Sequence, residues 1–378
     1  MLNHETLDLD AIVMTSTLQL LHLPRYSRRG ASSRLRTFQY VDAVEAAEIK
    51  LRTSAFFDDK YLERIYTSGQ SRRTFLKFLR ARTKALRKTP KPQAIWLEKE
   101  AFPWLPWSFE RRMLPRNVPV ISDYDDAVFH RYDGHRRAIV RMLLGNKIDR
   151  VMANSTLVVA GNAYLAERAR RAGAKWVEVV PTVVDLKKYK VDRQRPEADR
   201  DLTVGWIGTP ETWGSFAVHL FDDLAGAPFD DVVTLRAVGA SLTPQMRGQI
   251  ALVPWVEAKE VREIQQFDIG VMPLPDTPWA RGKCGYKLIQ YMACGIPVIA
   301  SPVGVNTEIV EHGVNGFLAR SEAEWIDAIE TLKNDVALRH RMGDAGREKV
   351  EKHYSLQVWA PKLVEMIKSA VAPSSRLP

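Results

Sequence analysis

Short apolar runs bounded by turn residues alternate with longer stretches of helical period along almost the whole chain. That alternation confines the fold to βαβ units around parallel sheets, so the expected class is α/β. In the first half, strands are expected at STLQLLHL (16–23), EIKLRTSAF (48–56), AIWLE (94–98), PVISDY (119–124), RVMANS (150–155) and VEVVPT (177–182). Between them the helical pattern covers SSRLRTFQYVDAVEAA and STLVVAGNAYLAERARRAG, the second with Ser155 as its cap and Gly173 at its end. LTVGWIG (202–208), VVTLRAVG, ALVPW, IGVMPL, PVIAS and GFLA repeat the alternation in the second half, without an internal sequence repeat. The polar stretch VDRQRPEADRD (191–201) has no apolar period and reads as a linker. A chain of 378 residues exceeds one ordinary core. The expected division is a Rossmann-like domain at 1–188, a second at 189–356 facing it, and a final helix with a disordered Pro- and Ser-rich tail at 357–378.

Composition excludes several classes. With 46% hydrophobic and 26% charged residues and no apolar run of about 18, nothing spans a bilayer. The start, MLNHETLDLDAIVMTSTLQLLHL, lacks the pattern of a secretion signal. Two cysteines, Cys284 and Cys294, exclude a disulfide framework and a four-cysteine zinc site, and no metal is expected. A cytoplasmic location fits these features. The net charge of +10 favours anionic partners. Nine Lys or Arg and no acid occur between Arg72 and Lys91, with Phe75, Phe78, Leu79 and Leu86 at helical intervals. This basic helix either packs on its own domain or lies on a membrane surface. Trp104, Trp107 and Phe109 beside Arg111 and Arg112 add to the membrane reading, so peripheral contact with an anionic membrane through 72–91 and 104–112 is expected. None of the common nucleic-acid motifs is present, and no nucleic-acid partner is expected.

In open α/β sheets ligands bind outside the carboxyl ends of the strands, which directs attention to the loops there. In GWIGTPETW, Gly208 ends a strand and Thr209 offers a hydroxyl and an N–H to an anion, or the segment is a plain tight turn. In RGKCGYKLIQYMACG, Gly282 and Gly285 permit close backbone approach where a helix begins and points unpaired N–H groups outward. Lys283 and Lys287 stand at the helix end where cations are unfavourable, which a bound phosphate would explain and solvation would also permit. Arg281 and Tyr286 are counted with this anion-binding stretch, as is Leu288, although Leu288, Ile289, Met292 and Ala293 have core spacing. In SPVGVNTEIV, Gly304 is followed by Glu308, which either holds sugar hydroxyls or caps a helix.

In the first half, RYSRRGASSRLR opens a helix at Gly30, Ser32 and Ser33, with Arg34 and Arg25, Arg28, Arg29 and Arg36 around it, a pattern suited to phosphate. ISDYDDAVFHRY places Asp123, Asp125 and Asp126 at a strand end, suited to general-base work, hydroxyl binding, helix capping or Mg²⁺. Glu98 and Glu100 are weaker candidates of the same type.

The segment QYMACGIPVIASPVGVNTEIVEHGVNGFLA (290–319) resembles the retaining, nucleotide-sugar-dependent glycosyltransferases called family 4 or group 1, whose fold is GT-B. Their usual wording is close to "EAMACGLPVIAS…G…EIV…G.NGFLV", with glycines and proline in register. GASSRLRTFQYVDAVEAAEIKLR is similar to the family's opening loop, helix and second strand. The resemblance implies two facing Rossmann-like domains, a final helix crossing back to the first, and a nucleotide-diphosphate sugar donor. It implies no obligatory cofactor. Family members often carry two glutamates eight positions apart, and the register puts Gly282 and Gln290 there. The basic pair usual after the first strand of the second domain is absent from GWIGTPETW, and a usual histidine is matched most nearly by Asp125.

Retaining transfer by front-face attack needs the leaving diphosphate stabilised and the acceptor held, without an enzyme nucleophile. Lys283, Lys287 and helix N–H groups can replace the basic pair, and Gln290 can still bind ribose hydroxyls. Asp125, Asp126 and Lys287 are the expected catalytic residues. The resemblance thus implies sugar transfer to a lipid-linked, polysaccharide or other glycan acceptor. A sugar-nucleotide epimerase or hydrolase of the same fold, and a non-catalytic nucleotide-binding or membrane adaptor, remain as alternatives.

Overall fold

The computed structural model describes residues 17–67, 72–193, 200–229, 233–241 and 250–372. They build two six-stranded parallel sheets. The first contains β1 (Leu18–Leu23), β2 (Ile49–Thr53), β3 (Ala94–Glu98), β4 (Val120–Tyr124), β5 (Leu157–Ala160) and β6 (Val177–Val179), in the order β2-β1-β3-β4-β5-β6. The second contains β7 (Leu202–Ile207), β8 (Val233–Val238), β9 (Ile250–Val253), β10 (Ile269–Met272), β11 (Val298–Ala300) and β12 (Gly316–Leu318), in the order β12-β11-β10-β7-β8-β9. Every residue of β3 and β7 is buried, because helices cover both sheet faces and leave no polar alternation.

In each sheet the strand order reverses beside the first strand, so successive connections depart to opposite sides and open a crevice at the carboxyl ends. In the first sheet that crevice lies between β1 and β3, and in the second between β7 and β10. Most loops read as candidate sites leave those four strand ends, while the Asp125 and Asp126 segment leaves the neighbouring β4 and the Gly304 segment leaves β11.

The last helix, Leu356–Val371, returns to the first sheet. Its entry is tied by Val184 N–H to Tyr354 O (3.0 Å) and Leu356 N–H to Val184 O (2.8 Å). Leu363, Ile367 and Ala370 then join Leu20, Trp96 and Val159 in one core. Residues 194–199 of the expected linker and 373–378 of the expected tail lie outside the described residues.

Several expected elements differ. RVMANS is the end of helix Lys147–Ala153, whose Ile148, Val151 and Met152 are buried at helical spacing. The helix expected from Ser155 splits into β5 and helix Ala163–Arg171, which Asn162 caps by accepting from Leu165 N–H. LVVA is a short β-branched run, and periodicity alone does not separate such a run from a buried helix. The helix expected over 32–47 is three short pieces, Ala31–Arg36, Phe38–Tyr40 and Val41–Ala46. The strand expected over 177–182 stops at Val179.

The basic helix spans Arg72–Arg87 and turns Phe78 and Leu86 into the core, with Phe75 and Leu79 packed against it. Arg82 is 1% exposed and donates to Pro24 O. Packing on its own domain therefore occupies its apolar face, and Leu76 is left outward. No helix among the described residues is long and apolar enough to cross a membrane.

Candidate active site

On the N-terminal side the crevice is filled by charge. Glu98, at the end of β3, accepts from Arg25 N–H (2.8 Å), Ser32 Oγ (2.8 Å) and Ser33 Oγ. Lys99 follows in a left-handed conformation (φ 66°), uncommon for a residue with a side chain. Its ammonium lies 2.9 Å from Ser32 Oγ and 2.8 Å from Asp125 Oδ1, and Ser32 Oγ, whose one proton is shared between Glu98 and Asp125, lies 2.6 Å from Asp125 Oδ2. Burial would raise the Asp125 carboxyl, but Lys99 outweighs it and holds the group at about 2. A carboxylate held that low is a firm hydrogen-bond acceptor and a poor general base.

The expected phosphate loop is thereby corrected. The hydroxyls of Ser32 and Ser33 face carboxylates, Gly30 is buried against Tyr26, and the helix after it has six residues. Arg25 pairs with Glu100 (3.0 Å), and Arg36 binds Asp123 through two nitrogens at 2.7 and 3.2 Å. Arg34 reaches out of the domain altogether. Among the described residues, no three His, Cys, Asp or Glu side chains converge as a metal site requires.

On the C-terminal side, Thr209 caps a short helix. Its N–H donates to Thr212 Oγ1 (3.0 Å) and its hydroxyl accepts from Thr212 N–H (3.3 Å), so the N–H expected for an anion is used. Gly208 precedes it at the end of β7. Helix Tyr286–Ala293 opens at Gly285, whose φ of 65° suits glycine, and no side chain caps it. Its first N–H groups therefore face the crevice unpaired.

Lys287, in that first turn, has no hydrogen bond or ion pair among the described residues, and its ammonium lies 5.4 Å from the Trp206 ring centroid. Burial, aided by Lys283, lowers its pKa to about 8. Lys283 differs: its ammonium is 2.8 Å from Asp126 Oδ1, and that carboxylate outweighs burial to raise its pKa. Arg281 is corrected as well, because it turns outward to Asp276 at 2.6 and 2.9 Å. Gly304 packs on the backbone of Arg281. Leu288 is fully enclosed in the core, as its spacing predicts. Glu308 is exposed on helix Asn306–Ile309 and lines a groove with Asn162 and Trp359.

The two crevices meet. A Cβ on Gly282 would stand 2.5 Å from Ala127 Cβ, which leaves no room for the family's first glutamate. Asn162 Nδ2 donates to Lys283 O (2.9 Å), and the Cys284 thiol donates to Asp125 O (3.1 Å). Arg34 crosses to Glu260 (3.6 Å) and lies over the Trp255 ring. Glu260 also accepts from Tyr189 Oη (2.7 Å), Trp255 Nε1 (2.8 Å) and Gln290 Nε2 (3.0 Å), while Tyr286 Oη is 3.2 Å from Tyr189 Oη. A carboxylate thus stands beside position 290, supplied by another helix.

Sequence reasoning missed Lys99, Asn162, Tyr189, Trp255 and Glu260. Lys99 lies between two noted acids and was legible as part of that run. Glu260, in EAKEVRE, reads as a solvated charged face, and Tyr189 in KKYK carries no signal.

Two Rossmann-like domains whose crevices face each other, one presenting an open helix start and a lysine unpaired among the described residues, define the class of two-domain α/β proteins with a ligand cleft between the domains. A sequence model described as "Glycosyl transferases group 1" matches residues 203–335. Over 167 residues the chain is 32% identical to the D-inositol 3-phosphate glycosyltransferase of Pseudarthrobacter chlorophenolicus, covering 44% of this chain and 34% of that relative. The match thus spans about a third of the curated relative's length. Among solved structures, the sucrose-phosphate synthase of Thermosynechococcus elongatus superposes with a TM-score of 0.70 at 17% identity, covering 93% of this chain and 98% of that one. Anabaena HepE, solved with UDP and glucose, gives 0.68 at 18% identity, covering 93% and 100%. Residues 203–335 thus match the group 1 glycosyltransferases, and the chain has the GT-B fold.

Proposed function

We propose that this protein is a retaining glycosyltransferase that moves a sugar from a nucleotide-diphosphate sugar to a glycan acceptor, lipid-linked or polysaccharide. The observation that carries the reading is Lys287, an unpaired ammonium at an open helix start in the crevice between β7 and β10. A diphosphate leaving group develops charge as the glycosidic bond breaks, and a fixed cation with oriented N–H groups stabilises that charge. Ser32, Lys99 and Asp125, presented from the facing domain, hold the acceptor hydroxyl. Because Asp125 is a poor base, the acceptor proton passes to an oxygen of the leaving phosphate. Contacts such as Asn162 to Lys283 O bring the domains together and exclude water from the reacting groups. The acceptor's origin suggests a place on the inner face of a membrane.

The test is a thermal-shift screen with UDP, GDP, ADP, CDP and TDP, since a ligand of the native state raises its melting temperature. UDP comes first because HepE was solved with it. A shift with one nucleotide supports the reading, and none with any of the five sinks it. The absence of acids at 282 and 290 favours a second reading, a non-catalytic nucleotide-binding protein, which predicts binding without donor turnover. Epimerised or hydrolysed donor as the main product would instead identify an epimerase or hydrolase.

A further inference from the structure

Helix Ala138–Leu144 carries its apolar stripe on the wrong side for a core. Ile139, Met142 and Leu143 have the i, i+3, i+4 spacing of a buried face. Yet they are 53%, 72% and 54% exposed, and Leu144 is the one residue of the helix that is buried. Beside the helix, Trp104 is 42% exposed, its backbone N–H donating to Tyr132 Oη (3.1 Å) and its ring 6.0 Å from that of His135. Arg136, Arg137 and Arg141 are exposed around this stripe. No acid lies between Asp133 and Asp149, and both of those are tied to Arg168, at 3.1 and 2.6 Å. The result is an apolar face within a field of one sign.

We propose that helix Ala138–Leu144 and Trp104 form a docking face for an anionic lipid surface. The arginines meet lipid phosphates, while Ile139, Met142, Leu143 and Trp104 enter the boundary between headgroups and acyl chains. Charge selects this occupant over a second copy of the chain, because two-fold pairing would set the arginine field against itself. Position supports a use as well. Trp104 follows the loop leaving β3 and the helix follows the loop leaving β4, the strand ends that present Lys99 and Asp125. A docked protein would therefore bring the acceptor side of its cleft to the lipid. That use rests on the lipid-linked acceptor proposed above, whereas the docking itself does not.

The experiment is co-sedimentation of the full chain with phosphatidylcholine vesicles, with and without phosphatidylglycerol, at low and high salt. Wild type is expected to bind the anionic vesicles at low salt and to be released by high salt. The double variant Met142→Glu, Leu143→Glu is expected to bind about tenfold more weakly or less, with melting temperature and nucleotide response unchanged. Leu76→Glu, on the basic helix Arg72–Arg87, is expected to bind like wild type. No wild-type binding at low salt, indifference to phosphatidylglycerol, or equal binding by the double variant would overturn the proposal. So would size-exclusion chromatography showing a wild-type dimer that the double variant dissociates. Nucleotide binding is read separately, so failure here leaves the glycosyltransferase reading standing.

Discussion

Lys283 Nζ lies 2.8 Å from Asp126 Oδ1, an ion pair that joins the second domain to the first across the cleft. Lys287, one turn further on, has no such partner among the described residues. Of two lysines that look equivalent in sequence, one is therefore engaged in closing the domains and the other is available to a ligand. Lys287→Ala is expected to weaken nucleoside diphosphate binding by about 1.5–3 kcal/mol, the worth of a charge-assisted hydrogen bond. Lys283→Ala should cost less than about 1 kcal/mol, because its pair with Asp126 must be broken before it can serve a phosphate. Titration calorimetry on both variants checks this, and equal losses would show that Lys283 abandons Asp126 for the diphosphate.

The same lysine sets a pH dependence. Burial lowers Lys287 to about 8, whereas a bound diphosphate would favour its charged form and raise it. Binding then takes up a proton between the free-state value and the raised bound-state value. Affinity is expected to be flat with respect to this lysine below about pH 8 and to fall by up to about tenfold per unit above it. Lys287→Arg, which keeps its charge, should remove the fall. Calorimetry between neutral and alkaline pH gives the profile, and a wild-type curve that stays level through the alkaline range contradicts the assignment.

Gln290 donates to Glu260 at 3.0 Å and to Tyr189 Oη at 2.8 Å inside a buried cluster. Restoring the family residue with Gln290→Glu would set two carboxylates together, where one of them must take up a proton. A loss of about 1–3 kcal/mol is expected from the broken hydrogen bonds alone. Adding Glu260→Gln should recover most of it by exchanging the roles of the two positions. Denaturant unfolding of the single and double variants measures the coupling, and independent, additive losses would show that the pair does not act together.

How legible these features were follows from their range along the chain. The alternation of strands and helices is local, so the α/β class and most strands were read directly, and the helix start at Gly285 with its lysines was visible for the same reason. Strand β5 was absorbed into the helix after it because Asn154, Ser155 and Thr156 before LVVA read equally as a helix cap, and only Gly161 and Asn162 follow it. The partners in the site are another matter. Ser32 to Glu98 spans 66 positions, Gln290 to Glu260 spans 30 and Lys283 to Asp126 spans 157, distances over which no spacing rule applies. The sequence showed phosphate-loving arginines around Gly30 because their carboxylate partners arrive only when the sheet forms. Gly282 could be seen to lack the family's acid, but the reason, contact with Ala127 across the cleft, exists only in the closed pair of domains.

The last prediction concerns what holds the N-terminal crevice together. Glu100, 3% exposed, accepts from Lys147 Nζ (2.5 Å), Arg25 (3.0 Å) and Tyr132 Oη (2.8 Å). Burial alone would raise its carboxyl, but Lys147 and Arg25 outweigh it and hold the group at about 2, below its ordinary 4.5. A folded-state value below the unfolded one means that the stabilisation is fully present above about pH 4.5. It is lost as pH falls toward about 2. Asp125, held at about 2 against an ordinary 3.8, adds a loss of the same sign in the same window. Glu100→Gln is expected to cost about 3 kcal/mol at neutral pH, since it leaves Lys147 and Arg25 buried with one carboxylate fewer. The gap from wild type should then narrow as the medium is acidified. Urea unfolding at neutral, mildly acidic and strongly acidic pH provides the comparison, and stability curves that run parallel at all three would show that Glu100 does not carry the acid sensitivity.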